Sequence, residues 1–177
     1  MFEIREQDPE VYRSRTRRSA LIIMVVFAVL AMALSTLAVQ VFGDPDGSNF
    51  RWNLLGVLAG LVVTLTLVRK LFWAQPWMAE AAYGWELKRN LMRITNVMHK
   101  VEAGVAAGDP MALRIMRFYH LGLIQMHRLD DNSTALLELR AESQTHLERL
   151  ERAGIDPDQS RFDPGWLAEL GEFEKPA

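Results

Sequence analysis

The amino-acid sequence predicts an all-α protein: a two-span transmembrane helical hairpin, a cytoplasmic antiparallel three-helix bundle and a short C-terminal helix. Two observations predict the hairpin. Residues 20–42 contain no charged side chain, and a second apolar run follows at residues 52–68. A third observation predicts the bundle, because apolar residues recur every three or four positions between residues 79 and 154, which is the period of an amphipathic helix.

These features divide the 177 residues into four parts, with room for one small water-soluble domain beside the membrane segment. The parts are a cytoplasmic N-terminal tail (1–19), the hairpin (20–73), the bundle (79–154) and a C-terminal tail with the short helix (155–177). Within the hairpin, we place the spans at about residues 20–42 and 52–73. The loop at residues 43–51, rich in Gly, Asp and Pro, faces outward.

The first apolar run is long enough to cross a bilayer. At about 1.5 Å per residue it reaches about 34 Å, against a hydrocarbon thickness of about 30 Å. A secretory signal is the rival interpretation, since Arg17 and Arg18 precede the run and Ala31-Met32-Ala33 resembles a cleavage site. However, the apolar run continues well past these alanines, whereas the apolar region of a signal ends before its cleavage site. We therefore expect a retained anchor.

Small residues four positions apart mark one face of each span. The second span contains Gly56 and Gly60, and the first contains Ala31 and Ser35. Such spacing lets two helix backbones approach closely in lipid, where there is no hydrophobic drive between helices. The sequence leaves two uses open: packing of the two spans on each other, or association of two copies of the chain.

The distribution of basic residues predicts the orientation. Four arginines stand before the first span, at positions 13, 15, 17 and 18, while the loop between the spans contains only Arg51. Arg69 and Lys70 follow the second run, and their side chains can snorkel so that the span extends to residue 73. By the positive-inside rule, both termini are cytoplasmic.

Helix breaks and start signals outline the bundle. Gln75-Pro76 ends the second span, and Asp109-Pro110 is a strong start signal, with aspartate as N-cap and proline at the first helical position. The first predicted helix begins at about residue 79 and loosens at Gly104 and Gly108, the second begins at Pro110 and extends to about Leu129, and the third runs from about residue 134 to 153. The apolar seam of the first comprises Leu87, Leu91, Ile94, Met98, Val101 and Val105. Gly122, within the seam of the second, is expected to permit a close crossing, and Asp163-Pro164 begins the short last helix with Trp166 as a candidate anchor.

Arg89, Arg93 and Lys100 form a basic stripe opposite the first seam. Anionic lipid headgroups attract basic side chains near a membrane surface by about 1 kcal/mol each. These residues are therefore candidates for contact with lipid headgroups or with a partner. The commoner alternative is a helix face that is simply solvated.

Composition and motifs argue against several classes of site. The net charge of −2 does not suggest a nucleic-acid partner, and the lack of cysteine excludes disulfides and thiolate sites. The four histidines lack the spacing of a helical zinc site: His120 and His127 are seven residues apart, while His99 and His146 could join them only through the fold. We interpret them as structural and predict no catalytic, cofactor-binding or metal-binding residues.

Three segments carry a resemblance to a known family: Leu71-Phe72-Trp73-Ala74-Gln75-Pro76-Trp77-Met78, Tyr83-Gly84-Trp85-Glu86-Leu87-Lys88-Arg89 and Arg117-Phe118-Tyr119-His120-Leu121-Gly122-Leu123. With these segments and Asp8-Pro9-Glu10-Val11-Tyr12-Arg13, the chain resembles a family of small gammaproteobacterial membrane proteins that carry a domain of unknown function. The resemblance implies a bacterial inner-membrane location and supplies no activity, ligand or site residue.

The sequence thus leads to two hypotheses. The first is a non-enzymatic inner-membrane protein that presents a cytoplasmic helical bundle for self-association or for binding another membrane or cytoplasmic protein. The alternative is an accessory or oligomeric subunit of a transporter or channel, assembled through Gly56 and Gly60. A hydrolase or metal-dependent enzyme ranks third, because no recognisable motif combines a nucleophilic serine or threonine with a histidine base and an orienting carboxylate.

Overall fold

A computed structural model describes residues 1–170. It contains, in chain order, β1 (Phe2–Glu3), α1 (Pro9–Phe42), α2 (Phe50–Leu67), a π-helical turn (Val68–Phe72), a 3₁₀ turn (Pro76–Met78), α3 (Ala79–Thr95), α4 (Met98–Ala107), α5 (Pro110–Leu129), α6 (Ser133–Arg152), β2 (Arg161–Phe162) and α7 (Trp166–Glu169). The prediction of an all-α protein is confirmed, with one two-residue strand pair added. The chain divides into two compact units, Ser14–Ala82 and a second that joins Met1–Arg13 to the chain from Tyr83 onward.

The first unit, which we call the hairpin unit, contains the two long apolar helices. α1 begins at Pro9, well before the predicted span, because no helix breaker separates Pro9 from Phe42. The Asp8 carboxylate caps this helix by accepting hydrogen bonds from the backbone N–H groups of Glu10 (2.8 Å) and Val11 (3.0 Å). Those two bonds stabilise the ionised form and lower the pKa of Asp8.

The second apolar helix ends as the sequence predicts. Gln75 adopts an extended conformation before Pro76, since proline disfavours a helical residue at the preceding position. The buried Ser19 hydroxyl donates a hydrogen bond of 2.6 Å to the carbonyl of Trp77, and Arg15 pairs with Glu80. Both contacts tie the first part of α1 to the turn that follows the second apolar helix.

The second unit, which we call the helical domain, is arranged around α5. This helix packs against α4, α6 and α7, and α3 approaches it at Gly122, where an added Cβ would lie 2.8 Å from Cδ2 of Leu91. The expected close crossing at Gly122 is therefore present. The predicted start of α5 is confirmed too, because the Asp109 side chain accepts a 2.7 Å hydrogen bond from Ala112.

Between residues 79 and 154, the range of the predicted three-helix bundle, the structure has four helices. The first predicted helix is two helices, since the chain leaves helical geometry at Val97 (φ −120°, ψ 20°) between α3 and α4. Thr95 and Asn96, residues of low helix propensity, precede the break. The predicted seam nevertheless points inward on both sides of it, with Leu87, Leu91, Ile94 and Val101 all buried.

Residues from the N-terminus complete the core of the helical domain. Phe2 pairs with Phe162 in the antiparallel strand pair and stacks on Tyr83 with ring centroids 5.7 Å apart. The carbonyl of Arg5 accepts hydrogen bonds from the Tyr83 hydroxyl (3.3 Å) and the Gln125 amide (3.0 Å). The segment that the sequence presents as a tail is therefore folded into the domain over residues 2–13.

The C-terminal segment packs against the same aromatic core. Phe162 is fully buried and stacks on Phe118 with centroids 4.9 Å apart, while Trp166 meets Phe162 edge to face at 6.0 Å. The predicted short helix after Asp163-Pro164 is confirmed as α7, and Trp166 does dock. Residues 171–177 of the predicted C-terminal tail lie outside the described residues.

Candidate functional site

The small residues of the hairpin unit face one another. A Cβ added to Gly56 would collide with the backbone of Ser35, and one added to Gly60 would lie 2.8 Å from Cα of Ala31. Because residue 35 meets 56 and residue 31 meets 60, α1 and α2 run antiparallel at this contact. Of the two uses that the sequence left open, packing of the two helices on each other is the one present within the chain.

Polar side chains line the same contact without carrying charge. The Ser35 hydroxyl donates a 2.7 Å hydrogen bond to Oδ1 of Asn53, and the buried Thr64 hydroxyl donates one of 2.8 Å to the carbonyl of Gly60. Such bonds satisfy polar groups that would otherwise be costly in an apolar setting. The glycine face is therefore covered by α1 of the same chain, and an oligomer built through it would have to displace that helix.

The predicted basic stripe is divided between two helices. Arg89 and Arg93 lie one turn apart on α3, whereas Lys100 lies beyond the break, on α4. The Arg89 guanidinium stands 4.8 Å from the centroid of the Trp85 ring, and Nη1 of Arg93 donates a 3.3 Å hydrogen bond to Oδ1 of Asn90. Only the two arginines line a common groove, of about 260 Å³.

A groove in the helical domain lies between α4 and α6, with α5 as its floor. Its volume is about 560 Å³. Apolar side chains from α4 and α5, including Met98, Val105 and Met116, share the lining with charged and polar groups. The latter are Glu102, Tyr119, His120, Glu142, Thr145, His146 and Arg149.

Two histidines form the polar centre of this groove. The rings of His120 and His146 meet edge to face with centroids 5.3 Å apart. Nε2 of His146 lies 2.9 Å from the carbonyl of Leu113 and donates to it, whereas Nδ1 of His120 is buried and has no hydrogen-bond partner among the described residues. The structural interpretation of the histidines therefore fits His146, while His120 retains an unused polar atom.

Burial favours the neutral form of both rings. It lowers the pKa of His120 to about 4, helped by the nearby His146 and Arg117. Burial also lowers the pKa of His146, although its hydrogen bond to Leu113 acts in the opposite direction. At neutral pH the groove therefore presents two uncharged imidazoles.

The arrangement does not resemble a metal site within the described residues. No three or more histidine, aspartate or glutamate side chains between residues 1 and 170 are grouped so that they could hold an ion. His127 lies elsewhere on the domain, in a groove beside Asp8 and Arg13. At its centre, the groove can therefore form hydrogen bonds to a ligand through neutral imidazole rings that lie beside apolar side chains.

The depressed pKa of His120 predicts acid sensitivity of the helical domain. The unfolded chain has the ordinary pKa of 6.5 and binds more protons between pH 6.5 and 4 than the folded chain does. Folded stability is therefore fully present above pH 6.5 and decreases as the pH falls toward 4, by roughly 2 to 3 kcal/mol from this group. Urea unfolding of the wild type and of His120→Gln at pH 4, 5, 6 and 7 measures this loss of stability.

The difference between the two proteins isolates the His120 contribution. The other charged groups that line the groove, among them Glu102 and Glu142, are present in both chains. The wild type should lose stability more steeply than the variant between pH 6.5 and 4. Parallel pH profiles would show that His120 is not held neutral by the fold.

Sequence reasoning missed the groove and the strand pair for different reasons. His120 and His146 come from different helices, so only the packing of α6 on α5 brings them together. The strands contain two residues each, too few for an alternating pattern to be visible. One available signal was the burial-prone Phe2 in an N-terminal segment that is rich in charged residues.

Comparison with known proteins identifies a family. Residues 2–167 match the family model described as "Protein of unknown function (DUF3087)". Neither the curated proteins nor the solved structures contain a significant match. The match covers the strand pair, both apolar helices and the helices of the domain through Leu167. The chain therefore belongs to the DUF3087 family of proteins of unknown function.

Proposed function

We propose that the protein is a non-enzymatic integral protein of the bacterial inner membrane. It spans the bilayer twice, with both termini in the cytoplasm, and presents the helical domain for self-association or for binding another protein. One observation carries the proposal. The N-terminal segment before the first apolar helix packs into the same domain as the chain that follows the second apolar helix.

The exposure of the apolar helices supports membrane insertion. Two helical stretches, Pro9–Phe42 and Phe50–Phe72, are long and apolar enough to cross a membrane. In the most apolar part of the first helix only 6% of the residues are buried, and in that of the second helix only 17% are. A core helix of a water-soluble protein would be largely covered, whereas these helices expose large apolar side chains such as Leu21, Met32 and Val62.

Packing of the N-terminus supports retention of the first apolar helix. Cleavage after Ala33, as in a secretory signal, would remove β1 and the buried Phe2 and Tyr12 from the helical domain. Gly84 has no side chain where the Tyr12 ring packs, and an added Cβ there would collide with the Tyr12 hydroxyl. A cleaved chain would therefore lack part of its own core.

The same packing supports the proposed topology. Residues 2–13 and residues 83–170 belong to one unit, and this favours a hairpin that leaves and re-enters the same side of the membrane. The cluster of arginines before the first span and Arg69 and Lys70 after the second favour the cytoplasmic side.

The groove between α4 and α6 is a candidate surface for a partner, because proteins and ligands commonly bind at such concavities.

Cysteine labelling tests the anchor and its orientation, because the chain contains no cysteine of its own. Single cysteines replace Ser48 in the loop between the apolar helices, and Glu6 and Leu137 in the helical domain, all of which are exposed. In spheroplasts, a membrane-impermeant maleimide should label Ser48→Cys only. Glu6→Cys and Leu137→Cys should react after the membrane is permeabilised.

Two results would contradict the topology. Labelling of Leu137→Cys in intact spheroplasts would reverse the orientation, and recovery of the chain in the soluble fraction would remove the anchor. The partner is tested separately by crosslinking in native membranes followed by mass spectrometry, which should recover a dimer or a stoichiometric partner. A lone monomer at native expression would count against the binding role.

A further inference from the structure

We propose that the outer face of α3 binds the anionic headgroups of membrane lipids. We define this α3 outer face by Trp85, Arg89, Met92 and Arg93. The inference rests on the proposed membrane anchoring and goes beyond it, because it assigns the helical domain a second, peripheral contact with the bilayer.

The two sides of α3 differ in chemistry. Its inner side contributes Leu87, Leu91 and Ile94 to the core. On its outer side, Trp85 is 48% exposed and Met92 is 61% exposed. Large apolar side chains beside arginines on the solvent face of a helix are typical of helices that lie at a membrane surface.

The arginines of this face are available to an anion. In the described part of the chain, neither Arg89 nor Arg93 forms an ion pair with a carboxylate, whereas Lys88 on the adjacent position pairs with Asp130 at 3.0 Å. The shallow groove that they share also includes Met1 and one acid, Glu86. Two guanidinium groups therefore outnumber the single carboxylate along its lining.

The geometry suits a phosphate at a lipid surface better than a solvated face alone. The Arg89 guanidinium is held 4.8 Å from the Trp85 ring centroid, so the basic group and the aromatic group lie at the same place. Guanidinium groups bind phosphate through two parallel hydrogen bonds, while indole rings prefer the headgroup level of a bilayer. Trp85 also follows Phe72, the end of the second apolar helix, closely in sequence.

Lys100, which the sequence grouped with these arginines, does not belong to the α3 outer face. It lies on α4, beyond the break at Val97. The exposed side chains that lie beside the two arginines are instead Trp85 and Met92.

Fluorescence quenching in nanodiscs tests the proposal on the full chain. The protein is reconstituted in phosphatidylcholine alone or in phosphatidylcholine mixed with phosphatidylglycerol, each containing a brominated lipid that quenches tryptophan. The signal of Trp85→Phe is subtracted to isolate Trp85 from the other tryptophans. Trp85-dependent quenching should be several times greater with the anionic lipid, and raised salt should reduce it.

A matched pair of charge-reversal variants separates the specific face from net charge. Arg89→Glu/Arg93→Glu should abolish the Trp85-dependent quenching, while Arg114→Glu/Arg140→Glu, which makes the same charge change at exposed positions elsewhere, should retain it. Circular dichroism checks that each variant is folded. Equal quenching in both lipid mixtures, or equal loss in both variants, would overturn the proposal.

Two further results separate this inference from its alternatives. Inorganic phosphate at constant ionic strength should leave the quenching unchanged, and competition would instead assign the face to free phosphate and overturn the lipid contact. Chain that does not enter nanodiscs would contradict the proposed anchoring. Chain that inserts but shows no Trp85-dependent quenching would contradict only the lipid contact.

Discussion

Replacing Phe2 with alanine should lower the free energy of unfolding of the helical domain by about 3 kcal/mol. The side chain is only 8% exposed, stacks on Tyr83 and meets Phe118 edge to face with centroids 6.3 Å apart. Alanine would remove both ring contacts and leave a cavity against two buried aromatic residues. Pulse proteolysis of the reconstituted full chain across a urea series measures the loss as a lower unfolding midpoint.

Glu6→Ala provides the control for this variant. Its side chain is 89% exposed, and its contact with Arg128 at 3.8 Å is a surface ion pair that contributes little. The midpoint of Glu6→Ala should stay close to that of the wild type. If Phe2→Ala also unfolded at the wild-type urea concentration, the N-terminal segment would not belong to the core, and the topological argument built on it would fail.

The second large effect is expected in the hairpin unit, from Gly56→Leu. A side chain at this position collides with the backbone of Ser35, so α1 and α2 cannot keep their contact without moving apart. Movement would also break the hydrogen bond between Ser35 and Asn53. A cysteine pair at positions 35 and 53 reports the contact, and its oxidative crosslinking rate should fall by about tenfold or more in the Gly56→Leu background.

Val57→Leu serves as the matched control, since it adds bulk to the exposed side of the same helical turn. It should leave crosslinking nearly unchanged. The product itself is informative, because an intramolecular disulfide runs as a monomer whereas a disulfide between two copies runs as a dimer. A predominantly dimeric product would show that the small-residue face joins two chains, as the transporter-subunit hypothesis requires.

Local rules were enough to predict most of the helices. Asp109-Pro110 predicts the start of α5 because an aspartate cap and a proline at the first position satisfy or remove N–H groups that have no partner in the helix. Gln75-Pro76 predicts the end of the second apolar helix for a similarly local reason. The break at Val97 was missed, because a continuous apolar seam runs through it and the residues before it disfavour a helix only weakly.

Contacts between distant segments could not be predicted from local rules. Phe2 and Phe162 are far apart in sequence, and no pattern in either two-residue strand specifies the other. The same holds for His120 and His146, whose rings meet only because α6 packs on α5. Helical spacing placed Arg89, Arg93 and Lys100 on one stripe, whereas the structure has the two arginines on α3 and Lys100 on α4, beyond the break at Val97.

By itself, the sequence determined that the chain is helical, that two of its stretches are apolar and uncharged, and where most helices begin and end. These properties depend on side-chain transfer energies and on backbone groups within a few residues of one another. Only the tertiary structure decided that Phe2 and Tyr12 belong to the domain formed after Tyr83, that Gly56 packs against Ser35, and that α3 exposes Trp85 beside Arg89. Each of these depends on which surfaces are covered when separate segments pack together, and packing is a property of the whole fold.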